Sequence, residues 1–298
     1  MTQSFERAKS RLDNIETIKP LLTALRTMSM GAWQMANNKI AKMKKYEQNY
    51  DRILFEILPL IDQKRRRRQT IMDYSPTITD TIYLLIGSER GLCGRFNASM
   101  ADNALSYIEQ EACSSYQIWV MGSRLLRELE RKGVQVTWRK SLPASSLTSY
   151  QQSYILTQNF LEQYETFAFN RLIVLYNQIV RGAVYEFSSL NLLPYEIIHT
   201  TNVGDNEQSY WPPPIIETDP KGIYNQIILH FIASSFHQAL LKSAAAEHSA
   251  RYNLMQEASE NADEIIEDLV RIINAERKRK ITQELQELAV SAGLLDHK

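Results

Sequence analysis

Apolar positions recur at helical spacing through the last third of the chain. Residues 223–292 contain neither glycine nor proline, so nothing there obliges a helix to end. A helix of that span is about 105 Å long. Six apolar residues within it follow one another at intervals of three or four: Met255, Ala258, Ala262, Ile265, Leu269 and Ile272. This spacing is typical of a left-handed coiled-coil seam and predicts a second helix along its length.

The first part of the chain offers that second helix. Residues 5–61 carry apolar and aromatic side chains at the same spacing: Ile15, Ile18, Leu22, Leu25, Trp33, Ala36, Ile40, Met43, Tyr46, Tyr50, Ile53, Ile57 and Leu60. Pro20 lies inside this pattern, and we expect a kink or a weakened turn there because proline removes a backbone donor. The two ends of the chain therefore predict a long antiparallel coiled coil.

The middle of the chain changes to an alternating pattern of strands and helices. Strand-like runs at 81–86, 117–121 and 134–138 alternate with helical runs at 97–111 and 123–132. This βαβαβ order predicts a Rossmann-like, mainly parallel sheet. A helix at 150–164 follows, and then two strands, 171–180 and 184–192, joined at Arg181-Gly182. We expect these last two strands to form an antiparallel hairpin at one edge.

The predicted fold class is α+β/α/β, in which the α/β domain is inserted between the two coiled-coil helices. The expected segments are an N-terminal helix (1–62), a basic linker (63–79), the α/β domain (80–200), a loop (201–220) and a C-terminal helix (221–298).

Composition narrows the class of protein. The 298 residues have a formal net charge of zero, which favours neither nucleic acid nor a membrane surface as a general partner. No apolar run approaches the roughly 18 residues of a transmembrane helix, and the first residues lack the apolar core of a secretory signal. We therefore expect a soluble chain. The two cysteines predict a reducing compartment without a disulfide framework.

Two local motifs each allow a functional and a structural interpretation. A loop between a predicted strand and a predicted helix contains Gly87, Gly91 and Gly94. Phosphate-binding loops lie at this position, between the end of a strand and the start of a helix. The loop lacks both the dinucleotide fingerprint and the Gly-Lys-Ser/Thr ending, so a structural turn is favoured and no cofactor is predicted. The run Lys64–Arg68 resembles a nucleic-acid patch or an import signal. It has no interleaved aromatic residues to stack on bases, and it is better explained as a solvated connector. The histidines show no metal-ligand spacing.

A second charged run lies near the end of the predicted C-terminal helix and interrupts its apolar pattern. Arg277-Lys278-Arg279-Lys280 interrupts the apolar seam, which skips from Ile272 to Ile281. The helix is expected to leave its partner there and to meet an acidic surface. Complementing the helix dipole is the alternative, but the predicted helix continues beyond this run.

Three stretches resemble the gamma subunit of rotary F-type ATP synthases. Residues 87–97, GSERGLCGRFN, are similar to that family's S-D-R-G-L-C-G-x-F-N signature, with Glu89 in place of Asp. Residues 247–251, EHSAR, continuing through Met255 and Ala258, resemble its E-x-x-A-R segment. Residues 281–285, ITQEL, preceded by Asn274 and Arg277, resemble its C-terminal motif. Together with the order of elements, the resemblance spans essentially the whole chain.

The resemblance implies a central-stalk rotor that is not catalytic by itself. One copy per complex would couple ion flow through the membrane c ring to ATP synthesis or hydrolysis on the alpha/beta hexamer. The implied partners are the alpha, beta, epsilon and c-ring subunits, with delta indirectly, and membrane contact occurs only through the c ring. A coiled-coil scaffold with an inserted regulator-binding α/β domain is the alternative function.

The resemblance also assigns contact residues. Arg277, Lys278, Thr282 and Glu284 match positions that contact a beta-subunit catch loop, and Arg279 and Lys280 make the surface better suited to an acidic loop. Glu207 is a candidate c-ring contact. The implied location is the cytoplasmic face of the bacterial plasma membrane, or the thylakoid in a cyanobacterium.

The first helix departs from the family pattern. Pro20 and Thr23 stand where the family has lysines, and Leu25 takes the place of a Met. This is typical of a divergent branch, of which the gamma subunit of an alternative, sodium-linked bacterial ATPase is one candidate.

Overall fold

The computed structural model describes residues 2–57, 80–113, 115–144, 146–166, 168–181, 184–195 and 219–291. The predicted basic linker and Glu207 lie outside these residues. The described helices are α1 (Thr2–Ile57), α2 (Phe96–Glu111), α3 (Ser123–Arg131), α4 (Tyr150–Glu165) and α5 (Pro220–Ser291). The described strands are β1 (Asp80–Ile86), β2 (Ser115–Met121), β3 (Trp138–Lys140), β4 (Arg171–Arg181) and β5 (Val184–Leu193).

Each of the two long helices contains a proline. Helix α1 is continuous α-helix through Pro20. Helix α5 begins at Pro220, where the missing N–H costs nothing because first-turn donors have no intrahelical partner. The Oδ1 atom of Asp219 accepts a hydrogen bond from the backbone N–H of Lys221 at 3.3 Å, and this contact caps the start of the helix.

The chain divides into two compact units. Residues 1–29 and 251–298 form the first, called here the coil unit, and residues 30–250 form the second, called here the sheet unit. Each long helix contributes one part to each unit.

The coil unit is an antiparallel pair of helices. Ala8, Leu269 and Ile273 form a buried apolar cluster with partly buried neighbours on both helices. Farther along, Lys19 forms an ion pair with Asp263. Residue numbers rise on α1 while they fall on α5, so the predicted antiparallel arrangement is confirmed.

The position of the seam differs from the prediction at several residues. Ile273 is 7% exposed, whereas Ile272, the predicted seam residue, is 50% exposed. On α1, the predicted seam residue Ile18 is also 50% exposed. A step of four residues after Leu269 keeps Ile273 on the buried face, while the apolar pattern selected a step of three. The buried Ser259 was missed because the pattern counted only apolar residues.

The sheet unit contains a five-stranded sheet in the order β3-β2-β1-β4-β5. Strands β3, β2, β1 and β4 are mutually parallel. Strand β5 pairs with β4 in antiparallel orientation, which confirms the predicted edge hairpin.

The third strand was predicted too early in the chain. It was expected at 134–138 but runs from Trp138 to Lys140. The backbone N–H of Val134 donates to the carbonyl of Leu129 at 3.0 Å, so this residue still closes the end of α3. Val134 and Val136 pack against the core without belonging to the strand, which explains their apolar character.

Alternate residues of the central strands enter two different apolar clusters. Leu84 and Val174 belong to the cluster that includes Phe160 of α4 and Phe236 of α5. Tyr83 and Leu85 belong to the cluster that takes its other members from α2 and α3 among other elements. The sheet therefore packs helices against both faces, and the loop after β1 lies at the carboxyl edge of its parallel strands.

Candidate functional site

The loop between β1 and α2 is built around close backbone packing. A Cβ atom on Gly87 would lie only 2.2 Å from the Cβ of Leu125, so no larger residue fits between the end of β1 and helix α3. Gly94 has a φ of +59°, a conformation that glycine adopts at low cost. A Cβ atom on Gly91 would lie 3.6 Å from the nearest atom, which belongs to Arg124, and this is an ordinary van der Waals contact.

Buried polar side chains fix the same loop from inside. The backbone N–H of Ser88 donates to Oδ1 of Asn97 at 3.0 Å, and the amide nitrogen of Asn97 donates to the hydroxyl of Ser88 at 2.8 Å. The hydroxyl of Ser88 donates in turn to the carbonyl of Arg90 at 2.8 Å. Cys93 is buried against this network, and neither it nor Cys113 forms a disulfide.

Glu89 connects the loop to two other segments. Its Oε2 atom accepts hydrogen bonds from the backbone N–H groups of Ser123 at 3.1 Å and Leu142 at 3.0 Å. Its Oε1 atom accepts from the hydroxyl of Ser123 at 2.6 Å. Partial burial acts to raise the pKa of Glu89, but these hydrogen bonds outweigh burial, and the pKa is lowered.

This arrangement bears directly on phosphate binding. Ser123 is the first residue of α3, and a helix N-terminus is a natural anion site. The carboxylate of Glu89 already occupies that position, and the N–H of Ser88 is already engaged by Asn97. The loop thus uses its own side chains for the contacts that a phosphate would make.

The second candidate site lies near the end of α5. Arg277, Lys278, Arg279 and Lys280, called here the collar, are all exposed. Arg279 lies 3.5 Å from a carboxylate oxygen of Glu276, and Lys280 lies 3.9 Å from one of Glu284. Such exposed pairs are worth little because water screens them. Arg277 and Lys278 form no ion pair with any described residue, so the collar keeps most of its positive charge available.

Thr282 and Glu284 lie on the next turn of the same helix. The hydroxyl of Thr282 donates to the carbonyl of Lys278 at 2.9 Å, so its proton is used within the helix while its oxygen can still accept. The long separation between Glu284 and Lys280 leaves the carboxylate of Glu284 able to exchange partners.

An exposed apolar row adjoins the collar. Ile281, Leu285 and Leu288 are 57%, 61% and 64% exposed, and their spacing places them on one side of the helix. At 3.6 residues per turn, the eight residues from the buried Ile273 to Ile281 rotate the row by about 80° around the helix, so it does not continue the seam. An exposed row of large apolar side chains beside concentrated charge is typical of a protein interface.

Comparison with known proteins bears on these features. The family model described as ATP synthase matches residues 4–294. The chain belongs to the ATP synthase family. The match extends through both helices and the intervening α/β region, and it confirms the family resemblance found in the three sequence motifs.

Individual relatives match this chain over nearly its full length. The chain is 24% identical to the ATP synthase gamma chain of Fusobacterium nucleatum over 290 residues, which is 96% of this chain and 98% of the relative. It is also 24% identical to the ATP synthase gamma chain of Rubrobacter xylanophilus, covering 98% of each protein.

Solved structures support the fold. The chain superimposes with a TM-score of 0.59 on a chain of the Euglena gracilis mitochondrial ATP synthase, from a structure of OSCP, F1 and c-ring, at 15% identity. The superposition covers 100% of this chain and 98% of that one. The predicted fold class, two terminal helices flanking an α/β domain, is therefore confirmed.

Membrane-spanning helices and metal-binding clusters are both absent from the described residues. No helix among them carries an apolar stretch long enough to cross a bilayer. They also contain no group of three or more His, Cys, Asp or Glu side chains arranged to hold a metal ion.

Sequence reasoning placed the glycine loop and the collar but missed the contacts of Glu89. Its partner Ser123 is 34 positions away in the chain, and neither residue belongs to a periodic pattern. The only available signal was a single acidic residue in a glycine-rich loop, and that signal does not identify a partner.

Proposed function

We propose that this chain, as the central-stalk rotor of an F-type ATP synthase, presents the C-terminal end of α5 to an alpha/beta hexamer. Rotation of the chain would couple ion flow through a c ring to ATP synthesis or hydrolysis on that hexamer. The observation that carries this proposal is the family match over residues 4–294, which includes both long helices as well as the α/β domain.

The surface of α5 supports a protein partner at this end. The collar supplies positive charge, and the row of Ile281, Leu285 and Leu288 supplies apolar area. Burying such a row against a partner removes apolar surface from water and favours association.

Individual residues receive roles on this basis. Arg277, Lys278, Thr282 and Glu284 contact a catch loop of the beta subunit through ion pairs and hydrogen bonds. Arg279 and Lys280 face an acidic loop of the same subunit, because complementary charge steers association and fixes register.

We also propose that the chain has no ATPase activity by itself. The loop after β1 satisfies its own donors through Glu89 and Asn97, which leaves it poorly suited to hold a phosphate. Nucleotide chemistry then belongs to the beta subunit, and the asymmetric surface of the rotor sets the states of the catalytic sites. The isolated chain is expected to show neither ATP hydrolysis nor nucleotide binding.

The proposed assembly contains one copy of this chain with alpha, beta, epsilon and a c ring, and delta indirectly. The chain reaches the membrane only through the c ring, with Glu207 as a proposed contact, and it lies at the cytoplasmic face of a bacterial plasma membrane or on a thylakoid. A coiled-coil scaffold of unrelated function is not favoured, because the family match extends through the α/β domain and both helices.

The test is affinity purification of the tagged full-length chain from its own cells, followed by mass spectrometry and an ATPase assay. We expect alpha, beta and epsilon subunits in the eluate, together with ATPase activity. A free chain, or a set of unrelated partners without ATPase activity, would contradict the rotor role.

A further inference from the structure

The sheet unit contains a cavity that lies apart from the loop after β1 and from the collar. Its volume is about 380 Å³. The described lining residues come from α1, α4 and α5: Lys39, Lys42, Met43, Tyr50, Tyr150, Ser234 and His237. Ligand sites generally begin at roughly 300 Å³, so the cavity is large enough for a small organic molecule.

The cavity has a positive electrostatic character. Lys39 and Lys42 lie one helical turn apart on α1, and neither forms an ion pair with a described residue. No acidic side chain is among the described lining residues. No acidic lining residue in the part of the chain that the structure describes neutralises the two ammonium groups, and they favour an anionic ligand.

Tyr150 and His237, two further titratable groups of the lining, stay neutral near pH 7. Burial, followed by the neighbouring Tyr50 and Tyr154, raises the pKa of Tyr150 to about 12. Burial, followed by the charge of Lys39, lowers the pKa of His237 to about 4. The Nδ1 atom of His237 is 2.8 Å from the hydroxyl of Ser153, which holds the imidazole in place. These groups add polarity without cancelling the charge of the lysines.

Two aromatic rings of the lining, those of Tyr50 and Tyr150, are held parallel to a third ring, that of His230, which is not itself a lining residue. The ring of His230 is parallel to those of Tyr50 and Tyr150, with interplanar angles of 9° and centroid distances of 5.6 and 6.5 Å. The hydroxyl of Tyr150 is 3.0 Å from Nδ1 of His230, which fixes two of the rings relative to each other. Aromatic groups held in this way favour a planar ligand, because offset stacking requires little further ordering.

We propose that this cavity is a binding site for a small planar aromatic carboxylate. The carboxylate pairs with Lys39 and Lys42, and the ring system packs against Tyr50, Tyr150 and Met43. Two positive charges without a local acid select the anion, and the parallel rings select planarity. The site is independent of the α5 collar and does not rest on the rotor proposal.

The test uses a matched pair of probes on the full-length chain. Isothermal titration calorimetry compares 2-naphthoate with its neutral isostere 2-naphthamide at low ionic strength. We expect 2-naphthoate to bind at one site, at least five-fold more tightly than the amide, with this preference shrinking as salt screens the lysines. Equal affinity for the two probes, or no binding of 2-naphthoate at millimolar concentration, would overturn the proposal.

Variants locate the site. Lys39→Gln with Lys42→Gln is expected to weaken 2-naphthoate binding at least five-fold while leaving the amide unaffected. Arg139→Gln with Lys140→Gln removes the same charge from exposed positions on β3 and should change neither affinity. Tyr150→Leu is expected to weaken both probes. Unchanged 2-naphthoate binding in the Lys39/Lys42 variant, or an equal loss in the Arg139/Lys140 variant, would show that the probe binds elsewhere.

Discussion

At the scale of single residues, Glu89 contributes more to the fold than its place in a loop suggests. Its carboxylate accepts three hydrogen bonds from Ser123 and Leu142, which lie at the start of α3 and just after β3. Hydrogen bonds to a charged acceptor are stronger than neutral ones, and the negative charge also lies favourably at a helix N-terminus. One side chain thereby ties together three segments that are distant in sequence.

Replacing Glu89 by Gln is expected to destabilise the fold by about 1–3 kcal/mol near pH 7, because the amide loses the charge and presents an unwanted donor to backbone N–H groups. The folded-state pKa of Glu89 lies below its ordinary value of 4.5. Its contribution is therefore fully present above that pH and is lost as pH falls through the folded pKa. Chemical denaturation at pH 7 and in acid would measure both effects.

The matched control for this prediction is Glu130→Gln. Glu130 is an exposed glutamate on α3 without an ion pair to a described residue, so its replacement should leave stability nearly unchanged. If Glu130→Gln and Glu89→Gln have equal effects at pH 7, the contacts of Glu89 do not stabilise the fold.

Asn177 is a residue whose polarity works against the fold. It is 1% exposed on β4, and neither its amide oxygen nor its amide nitrogen has a hydrogen-bond partner among the residues that the structure describes. Leaving such groups buried and unsatisfied costs about 1–3 kcal/mol. Valine is favoured in strands, so Asn177→Val is expected to raise the free energy of unfolding by about 1 kcal/mol. Thermal unfolding would check this, and a melting temperature for Asn177→Val at or below that of the unsubstituted chain would contradict it.

At the scale of elements, the periodicity of apolar residues predicted the helices of the coil unit but not every residue of their seam. The heptad pattern correctly predicted two long helices and their antiparallel packing. It placed Ile272 and Ile18 in the seam, although both are half exposed. The error arose because isoleucines at positions 272 and 273 are indistinguishable by residue type, and only the position of the partner helix decides which one is covered.

This neighbouring pair provides a sharp test of the seam. Ile273→Ala is expected to cost about 2–4 kcal/mol, because it leaves a cavity beside Ala8 and Leu269, whereas Ile272→Ala should cost well under 1 kcal/mol. Both substitutions have the same chemistry and the same effect on helix propensity. Hydrogen exchange at residues 5–15 would report the difference, and equal loss of protection in the two variants would contradict the observed seam.

The α/β domain was predictable to a similar degree. Strands β1, β2, β4 and β5 were found because continuous apolar runs and turn residues mark them. Strand β3 was predicted too early in the chain. Val134 and Val136 are apolar because they pack against the core cluster that includes residues of α3, and not because they pair in a strand. A one-dimensional pattern cannot separate these two reasons for burying a valine.

At the scale of the whole molecule, short sequence motifs identified the family of the chain, whereas the geometry of the fold did not. The family is identified by short motifs spread from residue 87 to residue 285, and the match over residues 4–294 agrees with them. The contact roles of the collar residues have a different status. They depend on the shape and charge of partner surfaces that this chain does not encode, so they remain predictions.

The collar prediction is tested in the assembled ATP synthase. Arg277→Ala with Glu284→Ala removes one cation and one anion, so net charge is conserved while two proposed contacts to the beta subunit are lost. We expect impaired coupled turnover, with ATP synthesis and hydrolysis each reduced several-fold. The physical reason is that each lost charge-assisted contact leaves its partner on beta unpaired, and truncating one partner of a buried charge pair typically costs about 2–5 kcal/mol.

Asp268→Ala with Arg271→Ala is the matched control for the collar variant. These residues also form one acid and one base on α5, paired at 2.7 Å and exposed, and they lie outside the collar. Their removal should leave turnover unchanged, since an exposed pair within one helix contributes little. Unchanged ATP synthesis and hydrolysis in the Arg277/Glu284 variant would refute the contact role of these residues. An equal loss in both variants would instead mean that the whole exposed end of α5 is sensitive to helix stability, and the specific pairing with beta would have to be abandoned.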